Sequence, residues 1–184
     1  MASIFYIINT LLTICLYIFM LRSWMQYARV NFYNPFTQFI VKITQPILGP
    51  LKKVLPYFKK FDSATFLVIY VIALIKVMFI CAYGLKAPLF NVQYLLFAVY
   101  AILHAIGHLI FWLLLVRAIL SWISRGQSSA EDLLFQLTEP LVQSIRRIIP
   151  PLGNIDLSFM VVVFILFALN MLATDLFGFI WLLM

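Results

Sequence analysis

Charge is what this sequence has least of. Only 10% of its 184 residues are Asp, Glu, Lys or Arg, against roughly 25% in a soluble domain, so a water-soluble globular fold is excluded. Cysteine is scarce too. Cys15 and Cys81 both fall inside apolar runs, which gives a disulfide framework no support and reads as two buried free thiols. The six glycines form no phosphate-cradling loop, and neither a hydrolase triad nor a Cys-based metal motif can be assembled. The expectation is a protein that is not an enzyme and holds no cofactor.

What is abundant is apolar surface: 65% of residues are hydrophobic and the mean hydropathy is +1.08. Four runs, at 3–21, 65–83, 89–116 and 157–183, reach the roughly 20 residues a helix needs to cross a hydrocarbon core. The last two are longer than that, which predicts tilt or a helical end outside the bilayer. Nothing basic precedes the first run, no small-residue cleavage site follows it, and Arg22 comes at once. It therefore reads as a retained span rather than a signal peptide. The fold class is all-α: a polytopic membrane protein with four transmembrane helices.

The chain repeats itself. Thr44, Pro46, Lys52-Lys53, Pro56 and Asp62 recur 94 positions later as Thr138, Pro140, Arg146-Arg147, Pro150 and Asp156, with apolar positions such as Leu48/Val142 and Leu51/Ile145 in register. This divides the chain into repeats 1–86 and 87–184. The net charge is +7, and eleven of the 13 basic residues lie in the two long loops between spans one and two and between spans three and four. Cytoplasmic loops concentrate Lys and Arg, so both loops are expected inside and both termini outside, with no nucleic acid needed to explain the charge. Two hairpins of one orientation make a parallel repeat.

The loops carry helical signals. Phe36, Phe39, Ile40 and Ile43 follow i, i+3, i+4, i+7 spacing, as do Ala130, Leu133, Leu134 and Leu137. Ser128-Ser129 before Glu131-Asp132 reads as a helix start. Pro46 and Pro140 predict a second helix in each loop, starting at Pro50 in the first copy because Gly49-Pro50 breaks the chain. Each unit thus reads as span, amphipathic helix-Pro-helix, span. Lys52, Lys53, Arg146 and Arg147 are candidate contacts to anionic lipid. Asp62 and Asp156 are expected to cap spans two and four, and Trp24 and Trp122 to lie at headgroup depth.

Inside the spans, Lys76 and its repeat partner Asn170 stand with Asp175 as candidates for a polar seam or ion pathway; the competing reading is that Lys76 snorkels or bonds a neighbouring helix. His104 and His108 are four apart and share a helix face. That spacing suits a metal or haem, but no acid or Cys flanks them, and Gly107 points to close helix packing with interhelical hydrogen bonds.

The series Ser121-Trp122, Leu137-Thr138-Glu139-Pro140, Ile145-Arg146-Arg147 and Ile155-Asp156-Leu157-Ser158 closely resembles the YggT (YlmG) family of small bacterial and plastid membrane proteins. Arg22-Ser23-Trp24, Asn34-Pro35-Phe36, Thr44-Gln45-Pro46 and Lys52-Lys53-Val54-Leu55-Pro56 look like the first copy of its tandem proteobacterial type. The resemblance implies a bacterial inner-membrane protein without an established enzymatic activity, whose relatives are associated with osmotic or ionic stress, division and cofactor assembly. The functional expectation is a non-catalytic scaffold or assembly factor in contact with anionic lipid and with membrane proteins or further copies of itself. The alternative is a small ion channel or transport-associated protein with its seam at Lys76, Asn170 and Asp175.

Overall fold

The computed structural model describes residues 2–55, 62–124, 128–147 and 157–183. Pro56, Pro150 and Asp156 lie outside the described residues, as do Lys59, Lys60 and Arg125. Among the described residues seven α-helices form: α1 (Ala2–Tyr27), α2 (Pro35–Val54), α3 (Ser63–Phe79), α4 (Gln93–Ser124), α5 (Ser129–Arg146), α6 (Leu157–Phe177) and α7 (Phe179–Leu182). A π-helical turn, Ile80–Gly84, closes α3. Among the described residues four stretches are long and apolar enough to cross a membrane: Ser3–Tyr27, Ser63–Gly84, Gln93–Leu120 and Met160–Phe177. The all-α polytopic class is therefore observed, with α2 and α5 as the two loop helices.

Local chemistry starts the loop helices. Asn34 caps α2, its Oδ1 accepting from the Phe36 N–H at 3.0 Å, and Pro35 occupies the first turn where its missing N–H is no loss. Ser128 caps α5 through the Ala130 N–H at 3.2 Å, with Glu131 and Asp132 opposing the positive helix end. The expected break at the prolines does not occur: α2 runs through Pro46 and Pro50, and α5 through Pro140. All three prolines are exposed, so each ring stands on the outer face, where polar surroundings can satisfy the carbonyl that loses its partner. Gly49, moreover, has no Cβ to meet the Pro50 ring.

The last apolar run is also divided. Gly178 adopts φ +61°, a left-handed conformation that glycine enters at little cost, so α6 stops there and α7 folds back. Trp181 Nε1 then donates to Asn170 Oδ1 at 2.9 Å.

Packing between the spans rests on small side chains. Ala73 on α3 and Ala98, Ala101 and Ala105 on α4 are all buried, and α3 and α4 form the broadest packed pair. In a bilayer, where lipid tails are as apolar as Leu, such residues let backbones approach and gain dispersion contacts. The loop helices also touch: Asn34 Nδ2 donates to the Ser129 carbonyl at 2.6 Å and the Asn31 N–H to Gln136 Oε1 at 3.1 Å. Both loop helices therefore sit at one end of the bundle, and the two hairpins run in the same direction.

Candidate functional site

Each loop helix is clamped to its preceding span by an arginine. In the first copy Arg22, on α1, donates to the Thr44 hydroxyl, to the Val41 carbonyl at 2.9 Å and to Gln45 Oε1 at 3.0 Å. In the second, Arg117 on α4 donates to Thr138 Oγ1 at 2.7 Å and to Glu139 Oε2 at 3.0 Å. Thr44 and Thr138 are fully buried and donate in turn to Ile40 and Leu134 carbonyls, both at 2.7 Å. The repeated threonines are thus relays between an arginine and a helix backbone. The two clamps differ in charge. Gln45 is neutral, whereas Glu139 also pairs with Arg146 at 2.9 Å.

The basic pairs divide in the same way in both copies. Lys52 pairs with Asp62, and Arg146 with Glu139, while Lys53 and Arg147 remain exposed. Asp62 stands at the N-cap position of α3, but its carboxylate takes the Lys52 ammonium and the Thr65 hydroxyl, the latter at 2.8 Å. Burial raises its pKa, but the hydrogen bonds from Lys52 and Thr65 and the Lys52 charge outweigh that and hold it below the usual carboxylate range.

The apolar stripes do not behave alike. Leu133, Leu134 and Leu137 of α5 are buried. On α2 the buried positions are Thr37, Thr44 and Leu48, and Phe36, Phe39, Ile43 and Ile47 are roughly half-exposed. Trp24, expected at headgroup depth, donates its indole N–H to the Leu137 carbonyl at 3.1 Å, joining the two copies. The backbone of Trp122 lies in α4; its side chain lies outside the described residues.

The intramembrane candidates are not gathered together. Lys76 is 2% exposed, so it packs inside the bundle with neighbours of its own rather than snorkelling. His104 and His108 are within electrostatic reach of it. Asn170 and Asp175 are exposed on α6, and α3 and α6 are not among the broadly packed helix pairs. Asn170 instead meets the histidines: a cavity of about 340 Å³ is lined by His104, His108, Gly107, Asn170 and Trp181 among others. The imidazole centroids are 4.5 Å apart, and His104 meets the Trp181 ring edge-on at 5.1 Å. Among the described residues the contacts seen for these rings are aromatic. Gly107 makes no close approach, since a Cβ there would meet nothing within 4 Å. Among the described residues no group of three His, Cys, Asp or Glu is placed to hold a metal.

Arg22 and Arg117 are the site residues to which the sequence attached no role beyond loop charge and, for Arg22, a place in the family resemblance. The available signal was an Arg near the end of each odd-numbered span, 22 and 21 residues before the repeated threonine.

The CCB3/YggT family pattern matches this chain twice, at residues 1–82 and 96–177. The chain is 43% identical to the uncharacterized protein YggT of Escherichia coli K12 over 171 residues, covering 93% of this chain and 89% of that one. An uncharacterized protein in the proC 3′ region of Vibrio alginolyticus is 43% identical over 182 residues, 98% of each chain. One from Haemophilus influenzae is 42% identical over 174 residues, covering 95% of this chain and 93% of that one. No solved structure matches the chain significantly.

Proposed function

The chain belongs to the CCB3/YggT family, and from that premise we propose that it is a non-catalytic scaffold or assembly factor of the bacterial inner membrane. Its loop helices lie on the cytoplasmic surface, in contact with anionic lipid and membrane-protein partners, and its role is exercised under osmotic or ionic stress. The observation that carries this reading is the outer face of α2, where Phe36, Phe39, Ile43 and Ile47 are exposed beside the exposed Lys42 and Lys53. An apolar stripe bordered by cations is the pattern of a helix lying in an anionic interface. The concentration of basic residues in the two long loops supports the cytoplasmic side. The alanine-lined α3–α4 contact supports a dry bundle without a lumen.

The test places an environment-sensitive dye at Phe39→Cys, with Cys15 and Cys81 replaced by Ala, in reconstituted vesicles. Quenching by lipid-borne bromine in anionic vesicles, with protection from an aqueous quencher, is expected. Free access to the aqueous quencher would sink the interfacial placement.

A second reading, an ion pathway, draws support from the burial of Lys76, since intramembrane lysines commonly mark ion or proton routes. On that reading Lys76→Leu and Asn170→Leu abolish ion flux in vesicles and lower tolerance of ionic stress at normal protein levels. On the scaffold reading neither flux nor growth changes.

A further inference from the structure

We propose that the pocket between α1 and α2 is a binding site for a phosphate group, most readily that of an anionic phospholipid. This goes beyond the interfacial role of α2, because the groups concerned line the inner side of that helix rather than its membrane face. The pocket has a volume of about 460 Å³ and is lined by Arg22, Arg29, Thr37 and Lys52, with Gln26 at its edge.

Three independent features favour an anion there. The first is an unmet hydrogen-bonding group: Thr37 is fully buried, and its hydroxyl has no partner among the described residues. Buried polar groups are almost always satisfied, so a lone hydroxyl lining a pocket marks a place for a ligand atom. The second is charge. Three cations line the pocket, and Asp62, paired with Lys52, is the carboxylate beside them. In the second copy Glu139 stands where the first has Gln45 and takes both Arg117 and Arg146. The first clamp thus lacks the acid that neutralises the second. The third is preorganisation. Arg22 is fixed by Thr44, the Val41 carbonyl and Gln45, so one cation of the pocket is already held in place.

A guanidinium fork, an ammonium and a hydroxyl together match the donor needs of a phosphate. The source is narrowed by what adjoins the pocket. Gln26 also lines an apolar cavity of about 580 Å³ bounded by Trp24, Tyr27, Ile69 and Leu109, which is of the size that accepts small-molecule ligands and offers room for hydrocarbon attached to the phosphate.

The experiment uses the full chain in detergent, delipidated and then titrated with phosphatidylglycerol or phosphatidylcholine, with bound lipid counted by native mass spectrometry. Retention of phosphatidylglycerol over phosphatidylcholine is expected. Arg29→Gln should weaken it by about fivefold, the equivalent of one basic group at an anionic surface; Thr37→Val should weaken it by about fivefold through loss of one hydrogen bond, and Thr37→Ser should restore it. Gln45→Glu, which supplies the acid of the second copy, should weaken it by about tenfold or more by pairing with Arg22 and neutralising one of the pocket's cations. Melting of each variant shows whether it is folded. Loss in Thr37→Val with recovery in Thr37→Ser separates lost binding from lost structure. Millimolar inorganic phosphate or glycerol phosphate forms the second arm. If either occupies the site and displaces the lipid, the phosphate site stands with a soluble source; if neither does, it stands with a lipid source. Unchanged retention in both Thr37→Val and Gln45→Glu would overturn it. The surface reading is tested apart, by Lys53→Gln with Arg147→Gln. That pair should lower general vesicle association and leave the retained lipid in place. Loss of the retained lipid from this pair alone would overturn the pocket.

Discussion

Replacing Glu139 by Gln makes the second clamp resemble the first, and its cost follows from the geometry. Glu139 pairs with Arg117 at 3.0 Å and Arg146 at 2.9 Å, with side chains 17%, 21% and 32% exposed for Arg117, Glu139 and Arg146. Hydrogen bonds to charged groups contribute about 1.5–3 kcal/mol each when sheltered, and partial exposure brings these two toward about 1 kcal/mol each. Gln retains one acceptor, which can serve Arg117 as Gln45 serves Arg22, and turns a donor toward Arg146. The expected loss is therefore about 1–2 kcal/mol, or about 2–8 °C in melting temperature for a chain of this size. The assay is thermal unfolding of the detergent-solubilised chain for Glu139→Gln, Arg146→Met and the double variant. The pair should show a coupling of about 1 kcal/mol that shrinks in high salt, where the screening length falls to about 3 Å at 1 M. A melting temperature unchanged in Glu139→Gln, with additive single effects, would refute the clamp as a source of stability.

The Asp62 carboxyl sits below its ordinary value of 3.8. Its pairing with Lys52 therefore stabilises the fold fully above about pH 4 and is lost as pH falls through the lower, folded value. Unfolding followed from pH 7 to pH 3 should show an acid loss that Asp62→Asn removes; an identical profile in the variant would contradict this. Trp24→Phe keeps an aromatic ring, though a smaller one, and deletes the indole N–H that reaches the Leu137 carbonyl, costing about 0.5–1.5 kcal/mol for the bond; an unchanged denaturation midpoint would count against the bond. Gly178→Val forces a β-branched residue to φ +61°, ψ −141° and costs about 1–3 kcal/mol. It should release α7, seen as faster proteolysis of the last turn, and resistance equal to the parent would refute the requirement for glycine.

The spans, the Ser128 cap and the repeated threonines were legible because each depends on local composition or a fixed displacement. The continuity of α2 through Pro46 and Pro50 was not, because the penalty for an internal proline depends on whether the freed carbonyl meets polar surroundings, and that is set by which face of the helix turns outward. Likewise, the same spacing of apolar residues faces outward in α2 and inward in α5, a choice made by the neighbouring copy. Arg22 and Arg117 hid for another reason: they stand 95 positions apart while the threonines they hold are 94 apart, so a strict register search passes over the pair. Gly107 misled because a glycine in a span reads equally well as a packing notch or as the floor of a cavity, and only the position of α6 and α7 decides.

Among the described residues, Trp24, Asn31 and Asn34 bond across the copies at the loop end with one polarity. Trp24, Asn31 and Asn34 of the first copy supply the donors, and Leu137, Gln136 and Ser129 of the second supply the acceptors. The acceptors lie 95 to 113 residues further along the chain. At a synthesis rate of about 5–20 residues per second, the ribosome needs roughly 5 to 20 s to deliver them. For that interval the first hairpin waits in the membrane with its loop-end donors unclaimed by their final partners. The order of translation thus leaves the loop end of the early half unfinished until the late half of the chain arrives to accept its hydrogen bonds.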